Sequence, residues 1–89
     1  MTENLEQDLD RLLRAESDTV EWKRSVSEWK DVVVSLAAMA TLRGGRVCIG
    51  VEPTGEVRGV EIGKGTLEDV ANKISQNTSP RLTPDICTV

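Results

Sequence analysis

A helix start, a helix stop and a strand follow one another within residues 25–52, and this block does most to limit the fold. Ser25-Val26-Ser27-Glu28 matches a capping box, in which a hydroxyl and a carboxylate bind the first N–H groups of a helix. An apolar stripe at helical spacing follows, and Gly44-Gly45 ends it with a residue able to adopt a positive φ. Residues 46–52 then alternate with period two, as a strand does. A helix leading directly into a strand predicts a layer of helices packed on a sheet.

The flanking segments extend this pattern. The other predicted elements are a helix over residues 3–14, strands over 19–23, 56–60 and 85–89, and a helix from Thr66 to about Asn77. The order α-β-α-β-β-α-β predicts an α+β fold, with a mixed β-sheet packed with helices in a single domain over residues 1–89. In the first strand, we expect Val20 and Trp22 to face the core, and Glu21 and Lys23 the opposite side. Because the last strand stops at Val89, we expect a truncated N-terminal part of a longer protein.

Composition excludes several classes of function. The 89 residues include no histidine, which excludes zinc sites and histidine-based catalytic triads. No apolar run approaches the ~20 residues that cross a bilayer. The acidic N-terminus does not resemble a signal peptide, so we expect a cytoplasmic protein. Cys48 and Cys87 lie in apolar runs and are predicted to be small buried hydrophobic residues.

The charge is unevenly distributed along the chain. Its net value is −4, yet residues 22–46 hold five cations against two acids. Arginine can donate two hydrogen bonds to phosphate oxygens. Such contacts contribute affinity for nucleic acid but do not depend on base sequence. The predicted nucleic-acid-binding residues are Lys23, Arg24, Arg43, Arg46 and Arg58. The two tryptophans lie on apolar faces, so stacking on bases is not expected.

Three glutamates are candidates for a different chemistry. Glu16 and Glu21 are five residues apart, and Glu52 ends the central strand. In an extended chain this odd separation places the first two on opposite faces, so they converge only if Ser17-Asp18 forms a turn. Three convergent carboxylates could hold magnesium or manganese and hydrolyse a phosphodiester. The spacing leaves a solvated acidic surface and a metal site both open.

The glycine-rich stretch at residues 59–66 does not predict a nucleotide site. It approaches a P-loop, but its glycine spacing is one residue short and Gly65 separates Lys64 from Thr66. A phosphate-binding loop needs the lysine and the hydroxyl side by side at the helix start. We therefore expect no nucleotide cofactor, and a flexible loop here instead.

Four ordered motifs resemble the Schlafen-type AlbA_2 family, over residues 16 to about 80. The family pattern is an E-S-x-x-x-E-F-K strand, a helix ending in A-F-A-N-T-x-G-G, a strand I-G-V-D and then G-x-V-x-G. This chain has E-S-D-T-V-E-W-K from Glu16, Gly44-Gly45 after its helix, Ile49-Gly50-Val51, and G-E-V-R-G from Gly55. It departs from the pattern at Thr41, where the family has asparagine, and at Glu52-Pro53, where an aspartate pair is common.

The resemblance implies a small α+β layer, often paired into dimers, and a DNA-binding role in transcriptional regulators. Certain animal members instead cleave RNA with three acids, which would fall on Glu16, Glu21 and Glu52 here. Our first hypothesis is a nucleic-acid-binding module of a transcriptional regulator. We also expect this module to form a homodimer, to need no cofactor and not to associate with a membrane. The alternatives are a metal-dependent endoribonuclease using magnesium or manganese, and a dimerisation module without nucleic-acid function. We expect a binding protein rather than an enzyme.

Overall fold

The computed structural model describes residues 12–14, 16–86 and 88. The strands and helices in this part of the chain are β1 (Val20–Lys23), α1 (Trp29–Thr41), β2 (Arg46–Ile49) and α2 (Thr66–Gln76). The predicted α+β class is confirmed. The predicted helix over residues 3–14 lies mostly outside the described residues, of which only Leu12 is helical there.

The predicted capping box opens the long helix. One Glu28 carboxylate oxygen accepts from the backbone N–H groups of Arg24 at 2.7 Å and Ser25 at 3.3 Å, and the Ser25 hydroxyl accepts from Ser27 N–H at 3.3 Å. These bonds begin a short 3₁₀ turn, Val26–Glu28, that runs into α1. At the other end, Gly44 N–H donates to the Met39 carbonyl at 2.7 Å. The predicted capping box is confirmed, although it caps the 3₁₀ turn and α1 itself begins at Trp29; the predicted glycine stop is confirmed by the bond at Gly44.

The two strands form a parallel pair. Val20 lies opposite Arg46 and Lys23 lies opposite Ile49. Parallel neighbours need a crossover between them, and α1 supplies it. Two further bonds close the ends of the ladder, from Arg46 N–H to the Thr19 carbonyl at 2.8 Å and from Gly50 N–H to the Lys23 carbonyl at 2.7 Å.

Both faces of β1 are covered, which differs from the prediction. The Ser35 hydroxyl of α1 donates to the Glu21 carboxylate, so α1 lies over the face that was expected to point away from the core. On the other face, the Trp22 indole N–H donates to the Leu12 carbonyl at 2.9 Å. All four β1 residues are half-buried. The predicted alternation holds, but the face expected to lie opposite the core is covered as well, because α1 packs on one side and the segment containing Leu12 on the other.

The predicted hairpin after β2 is reduced to one antiparallel bridge between Val51 and Val57. Just before it, the Gly50 carbonyl accepts from Arg58 N–H at 2.8 Å and Gly59 N–H at 2.9 Å. Gly50 has a φ of +98°, and a Cβ there would lie 2.8 Å from the Gly59 carbonyl carbon. The two segments therefore approach each other closely enough that only glycine fits at position 50.

The core is small and is built mainly by α1. Its buried apolar residues are Val32, Val33, Met39, Val51 and Ile74. Four of these five belong to the predicted apolar faces of the two helices. Ala40 and Leu67 were also predicted to face inward, but both are exposed; Ala40 lies in the last turn of α1 and Leu67 in the first turn of α2. Residue Trp29 joins the helices, with the Lys73 ammonium 5.3 Å from its ring centroid.

The N-cap residue of α2 lies one position before Thr66, at which the helix itself begins as predicted. Gly65, not Thr66, is the N-cap residue, and the Thr66 hydroxyl instead accepts from Gly63 N–H at 2.9 Å. Asn77 is the C-cap, which confirms the predicted end. Residues 85, 86 and 88 carry no strand where one was predicted, and residues 87 and 89 lie outside the described part. No helix in the described ranges has the length and apolarity needed to traverse a bilayer.

Candidate nucleic-acid interface

The predicted cations fall into two groups at opposite ends of the sheet. Arg46 begins β2 opposite Val20, and Arg43 precedes it in the same loop. Lys23 ends β1, three residues or about 10 Å further along the strand direction. Arg24 and Arg58 lie at that second end, because the Arg58 backbone is bound to Gly50 just after β2. The five residues therefore do not form one continuous patch.

The first end contains an open hollow between Leu12, the loop after α1 and the two strand starts. It has a volume of about 270 Å³ and is lined by Leu12, Thr19, Val20, Arg43, Gly44, Gly45 and Arg46. We call it the arginine hollow. A Cβ on Gly45 would lie 2.6 Å from the Met39 sulfur and 2.8 Å from the Thr19 carbonyl oxygen. Glycine at this position therefore lets the loop lie against α1 and the start of β1, with exposed Arg43 and Arg46 on either side of the glycine pair.

Arg43 is ion-paired with Asp18, which directly precedes the lining residue Thr19. Asp18 lies in a turn in which Ser17 N–H donates to the Val20 carbonyl at 2.8 Å and Thr19 N–H donates to the Ser17 hydroxyl at 3.2 Å. Both charged side chains are exposed, 70% for the arginine and 64% for the aspartate. An exposed pair of this kind contributes about 0–1 kcal/mol. Arg43 can therefore exchange its partner for another anion at small cost.

The cations at the second end differ in their accessibility. The Lys23 ammonium lies 3.7 Å from a Glu21 carboxylate oxygen, and its side chain is only 20% exposed. The Arg58 guanidinium lies 2.8 Å from a Glu52 carboxylate oxygen and is 66% exposed. Arg24 is exposed. Among the predicted contacts, Lys23 is the least available to a large polyanion.

The three glutamates act as separate structural groups. The Glu16 carboxylate accepts from Trp22 backbone N–H at 3.3 Å, the Glu21 carboxylate accepts from the Ser35 hydroxyl, and Glu52 pairs with Arg58. The turn required for convergence does exist at residues 17–20. Within residues 12–14, 16–86 and 88, however, no group of three or more acidic, cysteine or histidine side chains could hold a metal ion. In this arrangement the glutamates do not fit a shared magnesium or manganese ion.

Two residues of this region were not predicted from the sequence. Asp18 was treated only as part of a turn, because its partner Arg43 lies 25 residues away and no local pattern indicates that contact. Ser35 had a usable signal, since it is a polar residue one position before Leu36 of the apolar face of α1. A half-buried hydroxyl on such a face requires a hydrogen-bond partner, and Glu21 is that partner.

Comparison with known proteins gives one match. The family model described as Schlafen, AlbA_2 matches residues 16–89, which is most of the chain. Neither the curated proteins nor the solved structures contain a match. The matched range begins at Glu16, whose carboxylate binds β1, and includes every residue that lines the arginine hollow except Leu12. It also includes the close approach of residues 50 and 59.

Proposed function

Since the chain belongs to the Schlafen AlbA_2 family, we propose that it is a nucleic-acid-binding module that holds the phosphate backbone at the arginine hollow. The observation that carries this proposal is the placement of two exposed arginines on either side of Gly44-Gly45, of which Gly45 packs closely against Met39 and Thr19. The resemblance to regulator-type members supports a place in a transcriptional regulator.

The physical argument concerns local charge rather than net charge. The protein carries −4 overall, so it does not attract polyanions by its total charge. Arg43 and Arg46 nevertheless lie close together, in the loop after α1 and at the start of β2, and Asp18 is paired with Arg43 at an exposed position. A bidentate guanidinium–phosphate contact is stronger than a neutral hydrogen bond and carries no sequence information. We therefore expect weak binding with little base specificity.

Fluorescence anisotropy with labelled duplex DNA and single-stranded RNA tests this function. We expect binding at low salt, with an affinity that falls linearly on a log–log plot at a slope of about −2 to −3 if two or three phosphates are neutralised. Arg43→Ala should reduce the magnitude of that slope by about 1. Arg81→Ala is the matched control, because Arg81 is exposed and does not line the hollow.

Each other outcome has a distinct meaning. A folded protein that binds neither polymer at low salt would refute the proposal, and a concentration-dependent dimer in that case would favour the interaction module. Equal salt slopes for the two arginine variants would move the contact away from the hollow. Manganese-dependent RNA cleavage that Glu21→Gln abolishes would instead identify an endoribonuclease.

A further inference from the structure

The arginine hollow carries its own anion. The Asp18 carboxylate is ion-paired with the Arg43 guanidinium. Arg43 is one of the two exposed cations at the hollow. Any phosphate that binds Arg43 must either displace this carboxylate or lie beside it. Two like charges at close distance repel each other, so displacement is the lower-energy route.

The backbone on both sides of the ion pair is anchored. The turn that carries Asp18 is joined to the hollow by the bond from Arg46 N–H to the Thr19 carbonyl, at 2.8 Å. The loop that carries Arg43 is joined to α1 by the bond from Gly44 N–H to the Met39 carbonyl, at 2.7 Å. The two side chains are therefore brought together by fixed supports, while their exposed ends can still rotate away.

We propose that Asp18 is a built-in competitor that sets how tightly the arginine hollow binds phosphate. This inference rests on the proposed function, because it concerns the same hollow and the same ligand chemistry. Asp18 lowers the affinity for every polyanion to a similar degree, since it competes for a guanidinium and not for a base. Its removal raises affinity without changing the preference between DNA and RNA.

Asp18→Asn is a suitable test because asparagine keeps the size of the side chain and is equally compatible with a turn. We expect this variant to bind labelled duplex DNA up to about fivefold more tightly at low salt, which is the upper limit for an exposed ion pair. Glu61→Gln removes the same charge from an exposed position that does not line the hollow. We expect it to raise affinity by less than Asp18→Asn does.

A double substitution identifies the residue through which Asp18 acts. In the Arg43→Ala background, Asp18→Asn should add no more than Glu61→Gln adds, because the guanidinium for which it competes is gone. Circular dichroism of each variant checks that the fold is retained. The gain in affinity and its loss in the double variant together would support the proposal.

The remaining outcomes separate this inference from the proposed function. If the unmodified protein binds DNA but Asp18→Asn matches Glu61→Gln, the inference is overturned and the function stands. If Asp18→Asn still raises the affinity for DNA when Arg43 is absent, Asp18 acts only through the net charge of the protein. If no variant binds either polymer, both proposals fail.

Discussion

Gly50→Ala tests whether the close approach of residues 50 and 59 holds the end of β2 in place. The Cβ of alanine would lie 2.8 Å from the Gly59 carbonyl carbon and 2.9 Å from its Cα. Non-bonded carbons rest at about 3.5–4.0 Å, so the segments must separate by roughly 1 Å. Both contacting atoms belong to the backbone, which cannot rotate away as a side chain can.

Two energetic costs add in this variant. A left-handed φ costs a residue with a Cβ about 1–2 kcal/mol. The separation also weakens the bonds from Arg58 and Gly59 N–H to the Gly50 carbonyl, at about 1 kcal/mol each. Together these give a loss of roughly 3–4 kcal/mol, against a total stability of about 5–10 kcal/mol expected for a domain of this length. Such a loss lowers the melting temperature by about 12–30 °C.

Gly59→Ala is the matched control, since Gly59 also has a positive φ, of +74°, but a Cβ there meets no atom within 4 Å. It should lose only the left-handed cost of about 1–2 kcal/mol. Urea denaturation followed by tryptophan fluorescence measures both variants. If Gly50→Ala does not fold in buffer, a stabilising osmolyte restores a measurable transition. Equal losses in the two variants would refute the steric argument.

The remaining predictions concern two carboxylates. Ser35→Ala removes the hydroxyl that donates to Glu21. It should lower the free energy of unfolding, measured by urea denaturation, by about 1 kcal/mol more than Ser75→Ala, whose hydroxyl donates within α2. Equal losses in the two variants would contradict a role for the Glu21 contact. The backbone N–H of Arg24 holds the pKa of the Glu28 carboxyl below its ordinary value of 4.5. A lowered pKa in the folded state adds stability above pH 4.5, and this stability is lost as the pH falls through the folded-state pKa. Urea denaturation at a series of pH values should therefore show that Glu28→Gln loses less stability on acidification than the unmodified protein does. Parallel pH curves for the two proteins would contradict this.

Local signals in the sequence were sufficient for the helices. The capping box at Ser25 and the glycine stop at Gly44 each depend on neighbouring residues, so their geometry follows from the local sequence. The alternation of β1 was likewise readable. The covering of both faces could not be predicted, because period two separates the faces without indicating what packs on them. Here α1 covers Glu21, while the Trp22 indole N–H donates to the Leu12 carbonyl.

The candidate site was predicted less completely than the fold. Arg43 and Arg46 were identified from charge alone, but their separation from Arg58 depends on strand register, which pairs residues far apart in sequence. The same limit applies to the Asp18–Arg43 pair. The family resemblance suggested three glutamates for one site, whereas each carboxylate has a different partner: Trp22 N–H for Glu16, the Ser35 hydroxyl for Glu21 and Arg58 for Glu52.

The contact between Glu16 and β1 has a consequence for self-association. The bonds from Arg46 N–H to the Thr19 carbonyl and from Gly50 N–H to the Lys23 carbonyl show that the odd-numbered residues of β1 direct their backbone N–H and C=O groups towards β2. The backbone N–H of Trp22 therefore lies on the outer edge of β1. Unpaired strand edges are templates for adding strands from other chains and so for aggregation. The Glu16 carboxylate binds that N–H and places a negative charge beside it. The Glu16 side chain therefore takes up a backbone donor on this edge that a strand from another chain would otherwise use.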